Sequence, residues 1–239
     1  MGSTPEIPCT ESIIPKGKVE VFSAYGSPKH ILLGHIPNKN NLPLYRDHRI
    51  DFTDCHIIDT QVIHNIILNQ GKDLVIDGLT SVTNMSLARL AVGDRGTIPS
   101  DPTVPKVPLP SMTTLYNEVY RADADAIVKN TGSGSHELRL VKTFYARDVA
   151  ITAFSNQSKP VLNEVGLVMI NPSLLPLPRT PSQGPYAYPS ATPYPYLPVS
   201  PYNYPPQDEV LFSIRTFKSV PFEVSTDITI TIRYTIYIE

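Results

Sequence analysis

The C-terminal segment STDITITIRYTIYIE alternates between apolar and polar residues, and this alternation constrains the fold more than any other feature. One set of side chains comprises Ile228, Ile230, Ile232, Tyr234, Ile236 and Ile238, and the other comprises Asp227, Thr229, Thr231, Arg233, Thr235 and Tyr237. Because successive side chains of a strand point to opposite faces, the pattern predicts a strand with one face on a core and the other exposed. Two roles are open for it: an internal strand, or a strand that adds to a neighbour's sheet.

Other short segments are also typical of strands, namely 18–24, 136–146, 163–170 and 209–217. The pattern from Gln61 to Thr80 predicts a strand (61–69), a break at QG and a short amphipathic helix (72–80). The inward side of that helix comprises Leu74, Val75, Gly78 and Leu79. The 25 prolines in 239 residues exclude long helices over much of the chain. The sequence therefore predicts an all-β fold: an antiparallel β-sandwich with one short helix and long proline-rich loops.

The predicted organisation is an N-terminal arm (1–17) followed by a single sandwich domain (18–239). A proline-rich stretch, Gly93 to Leu115, is predicted to be an extended loop over the surface of that domain. A second loop, 172–207, is predicted to be an insertion, because the segments on both sides of it have strand patterns. Long ordered loops of this kind usually bind something or are bound.

The inserted loop has an unusual composition. Its residues 172–206 hold 12 of the 25 prolines and 6 of the 13 tyrosines, and Arg179 is their only charged residue. Three interpretations are open: a polyproline II ligand, a disordered tether, or an extended loop whose tyrosines pack on adjacent subunits. We favour the third, with candidate assembly contacts at Tyr186, Tyr188, Tyr194, Tyr196, Tyr202 and Tyr204.

The overall chemistry of the chain indicates neither a nucleic acid nor a membrane as partner. The formal net charge is −2, and no apolar run reaches the roughly 18 residues of a membrane span. The first residues lack the profile of a signal peptide, so we expect folding in a cytoplasm. The two cysteines, Cys9 and Cys55, are expected to be reduced thiols.

Candidate catalytic or metal-binding residues are few. The densest cluster, DHRIDFTDCHIID, contains Asp47, His48, Asp51, Asp54, Cys55, His56 and Asp59. It lacks the ligand spacing of a known metal motif, so we interpret it as a polar strand and turn with partly exposed histidines. We interpret Asp123 and Asp125 of RADADA as charges on a solvent-facing strand edge, and GSGSHE as a hairpin loop. No catalytic residues and no cofactor are predicted.

Four sequence blocks together resemble structural proteins of tailed-bacteriophage virions. In order they are LARLAVGDRGT, LYNEVYR, LNEVGLVM and LFSIRTFKSVPFEVSTDITITIRYTIYI. The positions that match the family pattern are Gly93, Asp94, Gly96, Asn117, Glu118, Arg121, Asn163, Glu164, Gly166, Leu167, Arg215, Phe217, Pro221 and Phe222. The resemblance covers Gln61–Asn171 and Glu209–Glu239. GDRG replaces the family's glycine-rich turn, and the inserted loop interrupts the pattern.

The resemblance implies a particle component rather than an enzyme, present in the virion and made in the host bacterial cytoplasm. We expect a tail-associated subunit (fibre, fibre-anchoring, or baseplate/collar adaptor) whose partners are other virion proteins and copies of itself. A capsid decoration or head protein is the alternative, and a sandwich that binds host-surface glycans is a second one. A hydrolase using Asp51 or Asp54 is the least favoured reading.

Overall fold

The computed structural model describes residues 16–38, 42–79, 86–130, 136–170, 209–223 and 227–238. The strands are β1 (Lys16–Tyr25), β2 (Lys29–His35), β3 (Leu44–Asp51), β4 (His56–His64), β5 (Ile66–Ile67), β6 (Ser86–Gly93), β7 (Thr97–Ile98), β8 (Asp101–Pro105), β9 (Glu118–Asp123), β10 (Ala126–Asn130), β11 (His136–Tyr145), β12 (Val161–Ile170), β13 (Glu209–Pro221) and β14 (Ile228–Ile238). One α-helix, α1 (Asn69–Leu79), follows β5, and two 3₁₀ turns (Ala146–Asp148 and Ile151–Ala153) follow β11.

The strands form two large sheets and one small hairpin. The first sheet has the order β2-β3-β10-β11-β14-β1-β4, and the second has the order β5-β13-β12-β6-β9. The hairpin is β7-β8. Neighbouring strands are antiparallel except β3 and β10, which are parallel. The predicted all-β sandwich with one helix is confirmed.

The main core lies between the two large sheets. The first sheet contributes Val19, Val21, Leu140, Phe144, Ile230, Ile232 and Tyr234, and the second contributes Leu90, Val92, Val165, Leu167, Phe212 and Phe217. The hydroxyl of the fully buried Tyr234 lies 2.5 Å from the Ser213 hydroxyl, which links the two sheets through the core. A smaller apolar cluster, which includes Leu68, Ala91, Leu115 and Ile214, lies outside the main core.

The terminal strand β14 is internal, between β11 and β1. Its alternation is confirmed on the core face, where Ile230, Ile232 and Tyr234 are fully buried. The predicted exposure of the other face is wrong at Thr229, Thr231 and Thr235, which are buried. A Thr143 hydroxyl lies 2.9 Å from that of Thr231, and His30 at the start of β2 lies 2.8 Å from Thr143, so the β2-β3 hairpin covers this face. Because both edges of β14 are paired, it has no edge to offer a neighbour's sheet.

The helix begins earlier than its sequence pattern predicts. The residues QG lie inside α1. A side chain on Gly71 would come within 3.0 Å of the Phe212 carbonyl oxygen. This glycine therefore permits close packing of the helix on β13 instead of breaking it. Leu74 is half-buried, but Val75 is exposed, so its predicted inward position is wrong. The burial of the other two predicted inward positions, Gly78 and Leu79, lies outside what the structure describes. The predicted strand 61–69 is divided at Asn65, where the chain passes from the first sheet to the second.

Candidate functional site

The loop that connects β6 to β9, residues 94–117, is fastened at both ends by one buried carboxylate. We call this segment the anchored loop. Glu164 of β12 is completely buried and accepts hydrogen bonds from the backbone N–H groups of Arg95 (3.1 Å), Tyr116 (2.8 Å) and Asn117 (2.9 Å). Because the donors come from the beginning and the end of the loop, a single side chain closes it.

The neighbouring side chain, Asn163, holds the beginning of the loop from the other side. Its Oδ1 accepts a hydrogen bond from the Gly96 N–H at 2.6 Å, and its Nδ2 lies 3.0 Å from the hydroxyls of both Thr97 and Ser219. Nδ2 also donates to the Asp94 carbonyl at 3.2 Å. Asn163 thereby joins the loop to β12 and, through Ser219, to β13.

Asp94 extends this network to the end of the loop. Its carboxylate accepts hydrogen bonds from the Asn117 side-chain amide (2.6 Å) and from the N–H of Ser155 (2.5 Å). The Ser155 hydroxyl donates to it at 3.0 Å. Six positions that carry the resemblance therefore meet at one place in the fold: Gly93, Asp94, Gly96, Asn117, Asn163 and Glu164.

Two glycines of this network are required by close approach of the backbone. A side chain on Gly93 would come within 3.0 Å of the Asn117 carbonyl oxygen and the Glu164 carboxylate. One on Gly96 would meet the Asn163 carbonyl and the Glu164 Cβ within the same distance. Their role is thus to let the loop reach the two side chains that hold it.

The buried environment of the Glu164 carboxyl disfavours its charged form. Burial raises its pKa to about 7, against the opposing effect of the three backbone N–H donors, and the neighbouring Asp94 charge raises it further. A carboxyl that titrates near neutrality is a feature of catalytic acids. Here both oxygens are occupied by backbone donors and the side chain is 0% exposed, so the arrangement supports an anchoring role.

The middle of the anchored loop is also fastened to the sandwich. The Thr216 hydroxyl donates to the Lys106 carbonyl at 2.5 Å. The Lys106 ammonium group donates to the Arg95 carbonyl at 2.5 Å and lies 4.5 Å from the centre of the Tyr116 ring. The small hairpin β7-β8 lies within this loop, so the predicted plain extended loop is wrong over residues 97–105.

This fastened segment presents three apolar side chains to solvent. Val104, Val107 and Leu109 are 41%, 76% and 60% exposed, and we call them the loop surface. Exposed apolar side chains grouped on an ordered segment are typical of protein interaction sites. Because the loop is already held in place, a partner that binds there pays little conformational entropy for ordering it.

The remaining residues that carry the resemblance lie elsewhere in the fold. Leu167, Phe217 and Phe222 are core residues, while Pro221 ends β13 at the surface. Gly166 lies in β12 and Arg215 lies half-buried in β13. Glu118 and Arg121 form an ion pair on β9, at 2.7 Å.

An ion-pair network connects Arg121 to Glu209 and Arg89, which the sequence did not indicate, and through Arg89 to Asp123. Arg121 and Arg89 both bond to the carboxylate of Glu209, whose side chain is only 7% exposed. Arg89 also binds Asp123 at 2.6 Å. The partners of Glu209 lie 88 and 120 positions away in the chain, so no local spacing reveals them.

The structure does not bring the predicted acidic and histidine cluster together. Asp54 pairs with Lys29 at 2.5 Å, and the Asp51 carboxylate accepts a bond from the Thr53 N–H at 2.9 Å. The remaining members, Asp47, His48, Cys55, His56 and Asp59, are spread over β3, the following turn and β4. Within the described ranges, no group of three or more His, Cys, Asp or Glu residues could hold a metal ion.

The predicted exposure of the histidines is wrong for His48, which is 2% exposed. Its Nε2 lies 2.9 Å from Nδ1 of His30, and burial lowers its pKa to about 4. The pKa of His30 is also lowered by burial. His48 contacts His30, which in turn reaches Thr143 of β11, and sequence spacing does not reveal this contact between distant segments.

The predicted strand-edge aspartates have separate positions. Asp123 ends β9, which is an edge strand, whereas Asp125 lies in the crossing between the two sheets. Asp125 binds the Lys142 ammonium group at 2.7 Å and the Thr143 N–H at 2.8 Å. The prediction of a solvent-facing strand edge is therefore wrong for Asp125.

Several predictions fall on residues outside the described ranges. They concern Cys9, the N-terminal arm up to residue 15, residues 132–135 of the GSGSHE loop, and the six tyrosines of the inserted loop. No protein-family model, no curated protein and no solved structure matches the chain. Among the described residues, no helix has the length and apolar character needed to cross a membrane.

Proposed function

We propose that the protein is a non-enzymatic structural component of a tailed-phage virion, tail-associated, which acts by binding other particle proteins through its loop surface. The observation that carries the proposal is the anchoring of residues 94–117 by Glu164 and Asn163. Six of the fourteen positions that carry the resemblance to phage structural proteins belong to the network that holds this loop. The resemblance and the geometry thus both support the anchored loop as the segment that binds other particle proteins.

The form of the site favours assembly over chemistry. Its polar side chains are buried and bonded to backbone groups, while the side chains that it presents outward are aliphatic (Val104, Val107 and Leu109). Aliphatic side chains supply apolar area and shape to an interface but no acid, base or nucleophile.

The double variant V107D/L109D should fold normally and fail to enter particles. Both side chains are exposed, so we expect the free energy of unfolding to change by less than about 1 kcal/mol. The carboxylates would have to be desolvated in an interface, which opposes binding. Incorporation is measured by complementing a phage that lacks the gene and blotting purified particles.

Ile151, which is 44% exposed and outside the loop, provides the matched control as I151D. Normal incorporation of V107D/L109D would contradict the role of the loop surface. Negative-stain imaging of particles that carry a labelled copy distinguishes the tail from the capsid, and label on the capsid would favour a head or decoration protein.

Deleting Pro185–Pro205 from the inserted loop should leave the sandwich folded and weaken incorporation. The flanking strands β12 and β13 pair with each other up to Ile170 and Glu209, so the segment leaves and returns at adjacent strand ends. Circular dichroism and thermal unfolding report the fold, and particle blotting reports incorporation. An unfolded deletion variant would mean that the segment belongs to the core.

A further inference from the structure

Strand β2 is one edge of the seven-stranded sheet. It pairs only with β3, from Lys29 opposite Asp51 to His35 opposite Tyr45. No other strand among the described residues lies along its outer side. Such an edge presents unpaired backbone N–H and C=O groups that a further strand can bind.

The middle of this edge is apolar and exposed. Ile31, Leu32 and Leu33 are consecutive and are 42%, 38% and 46% exposed. Proteins usually blunt such edges with charges, prolines or bulges. In β2 the only such charge is Lys29 at the start, and near the end the backbone enters the left-handed region at Gly34, whose φ is +63°.

The opposite edge of the same sheet, β4, is protected differently. It also exposes Ile57, Ile58 and Val62, but Asp59 lies between them and its pairing with β1 is irregular at this point. The side chain of Gln61 is bonded to the backbone of Lys218 on β13. The two edges therefore differ, and within the part of the chain that the structure describes, β2 is the one left open along its apolar centre.

We propose that β2 pairs antiparallel with β2 of a second copy of this chain, with the two-fold axis at Leu32. This inference goes beyond the particle role and does not depend on it. In this register Leu32 lies opposite Leu32 of the second copy, and Ile31 lies opposite its Leu33. The first sheets of the two copies then form one continuous sheet across the dimer.

The strand is its own complement under this two-fold axis. The apolar triplet meets an apolar triplet, which is the type of cross-strand pair that stabilises sheets. A two-fold interface requires such self-complementarity, because each contact occurs twice with the roles exchanged. A partner with a polar or charged strand would place its polar side chains against the apolar triplet, where they would have no hydrogen-bond partner.

The charges at the strand ends fit the same arrangement. Lys29 is the only Lys, Arg, Asp or Glu in β2, and it is bonded to Asp54 at 2.5 Å. The axis places each Lys29 at an opposite end of the pair, facing His35 of the second copy. Asp51, opposite Lys29 on β3, and Asp54, bonded to Lys29, keep acidic groups next to this cation at each end of the pair.

The register is tested with cysteine in place of Leu32, in a C9S/C55S background. Directly opposite residues in antiparallel strands have Cα atoms about 4.5–5.5 Å apart, a distance that a disulfide spans. We expect L32C to form a disulfide-linked dimer on mild oxidation. The matched control is V62C, at an exposed apolar position on the other edge, and it should remain uncrosslinked.

Sedimentation of the unmodified full chain over a range of concentrations tests the partner. We expect a monomer–dimer equilibrium, and L32K should shift it to monomer while leaving the thermal unfolding midpoint nearly unchanged. A chain that stays monomeric at every concentration would overturn the second copy as occupant. Crosslinking of L32C no faster than that of V62C would overturn the register.

Discussion

Raising the pH from 5 to 8 should shift the stability difference between the protein and its E164Q variant by about 3 kcal/mol in favour of the variant. Burial raises the folded-state pKa of Glu164 to about 7 from an ordinary value of 4.5. A raised carboxyl pKa contributes stability below the unfolded value, and this contribution is lost as the pH rises through the folded value. Each pKa unit corresponds to about 1.4 kcal/mol, and about three quarters of the full difference falls between pH 5 and pH 8, because the unfolded chain is already partly ionised at pH 5. Glutamine is neutral at every pH, but its Nε2 cannot accept an N–H as the carboxyl oxygen does, so E164Q should carry a loss of stability that is independent of pH.

The comparison with E164Q is necessary because two histidines act in the opposite direction. Burial lowers the pKa of His48 to about 4 and also lowers that of His30. A lowered histidine pKa contributes stability above the ordinary value near 6.5, and that contribution is lost as the pH falls. In E164Q we therefore expect stability to rise between pH 4.5 and pH 6.5, whereas the unmodified protein should have a flatter profile.

Urea unfolding at half-unit pH steps, carried out on both proteins, measures this difference directly. H48Q provides the control for the histidine contribution and should flatten the rise seen in E164Q. A stability difference that does not change between pH 5 and pH 8 would show that Glu164 keeps one protonation state throughout. The three backbone donors would then outweigh burial.

Replacing Gly96 with alanine should lower the free energy of unfolding by about 3 kcal/mol, the upper part of the usual range for overpacking. The new methyl group would come within 3.0 Å of the Asn163 carbonyl and the Glu164 Cβ, both parts of a buried strand. Neither can move without breaking the bonds that hold the anchored loop. For a chain of this size the change corresponds to roughly 6–12 °C in the unfolding midpoint.

The matched control is G34A, where the new methyl group meets only the flexible Arg46 side chain at 3.2 Å. Gly34 has a φ of +63°, so its cost is backbone strain of about 1–2 kcal/mol. In G96A the strain should appear in the loop, so trypsin cleavage after Lys106 should accelerate, while in G34A it should not. Equal cleavage rates in the two variants would contradict a loop held at Gly96.

The pattern of apolar and polar residues was enough to predict the class of fold. Alternation at Ile230, Ile232 and Tyr234 predicted a strand with a core face, and these residues are fully buried in the main core. The reason is local: the two-residue period of a strand is written directly in the chain. The same pattern could not show that Thr231 is buried too, because its cover is a hairpin from elsewhere in the sequence.

The candidate site shows more clearly the difference between what a local pattern predicts and what distant contacts determine. The segments GDRG, LYNEVYR and LNEVGLVM contain Gly93, Asp94, Gly96, Asn117, Asn163 and Glu164, but the segments do not indicate that these residues meet. Only the tertiary structure brings Asn163 and Glu164 of β12 to the two ends of the anchored loop. Hydrogen bonds between positions about 50–70 apart depend on strand order and register, which are not encoded in any single segment.

The sequence by itself predicted the all-β class, the strands β1, β11, β12, β13 and β14 and the core face of β14, because these follow from local periodicity. The tertiary structure decided which connection is fastened, which histidine is buried and which sheet edge stays open. Those outcomes follow from contacts between distant segments, where burial and pairing are properties of the folded arrangement and not of any one stretch of chain.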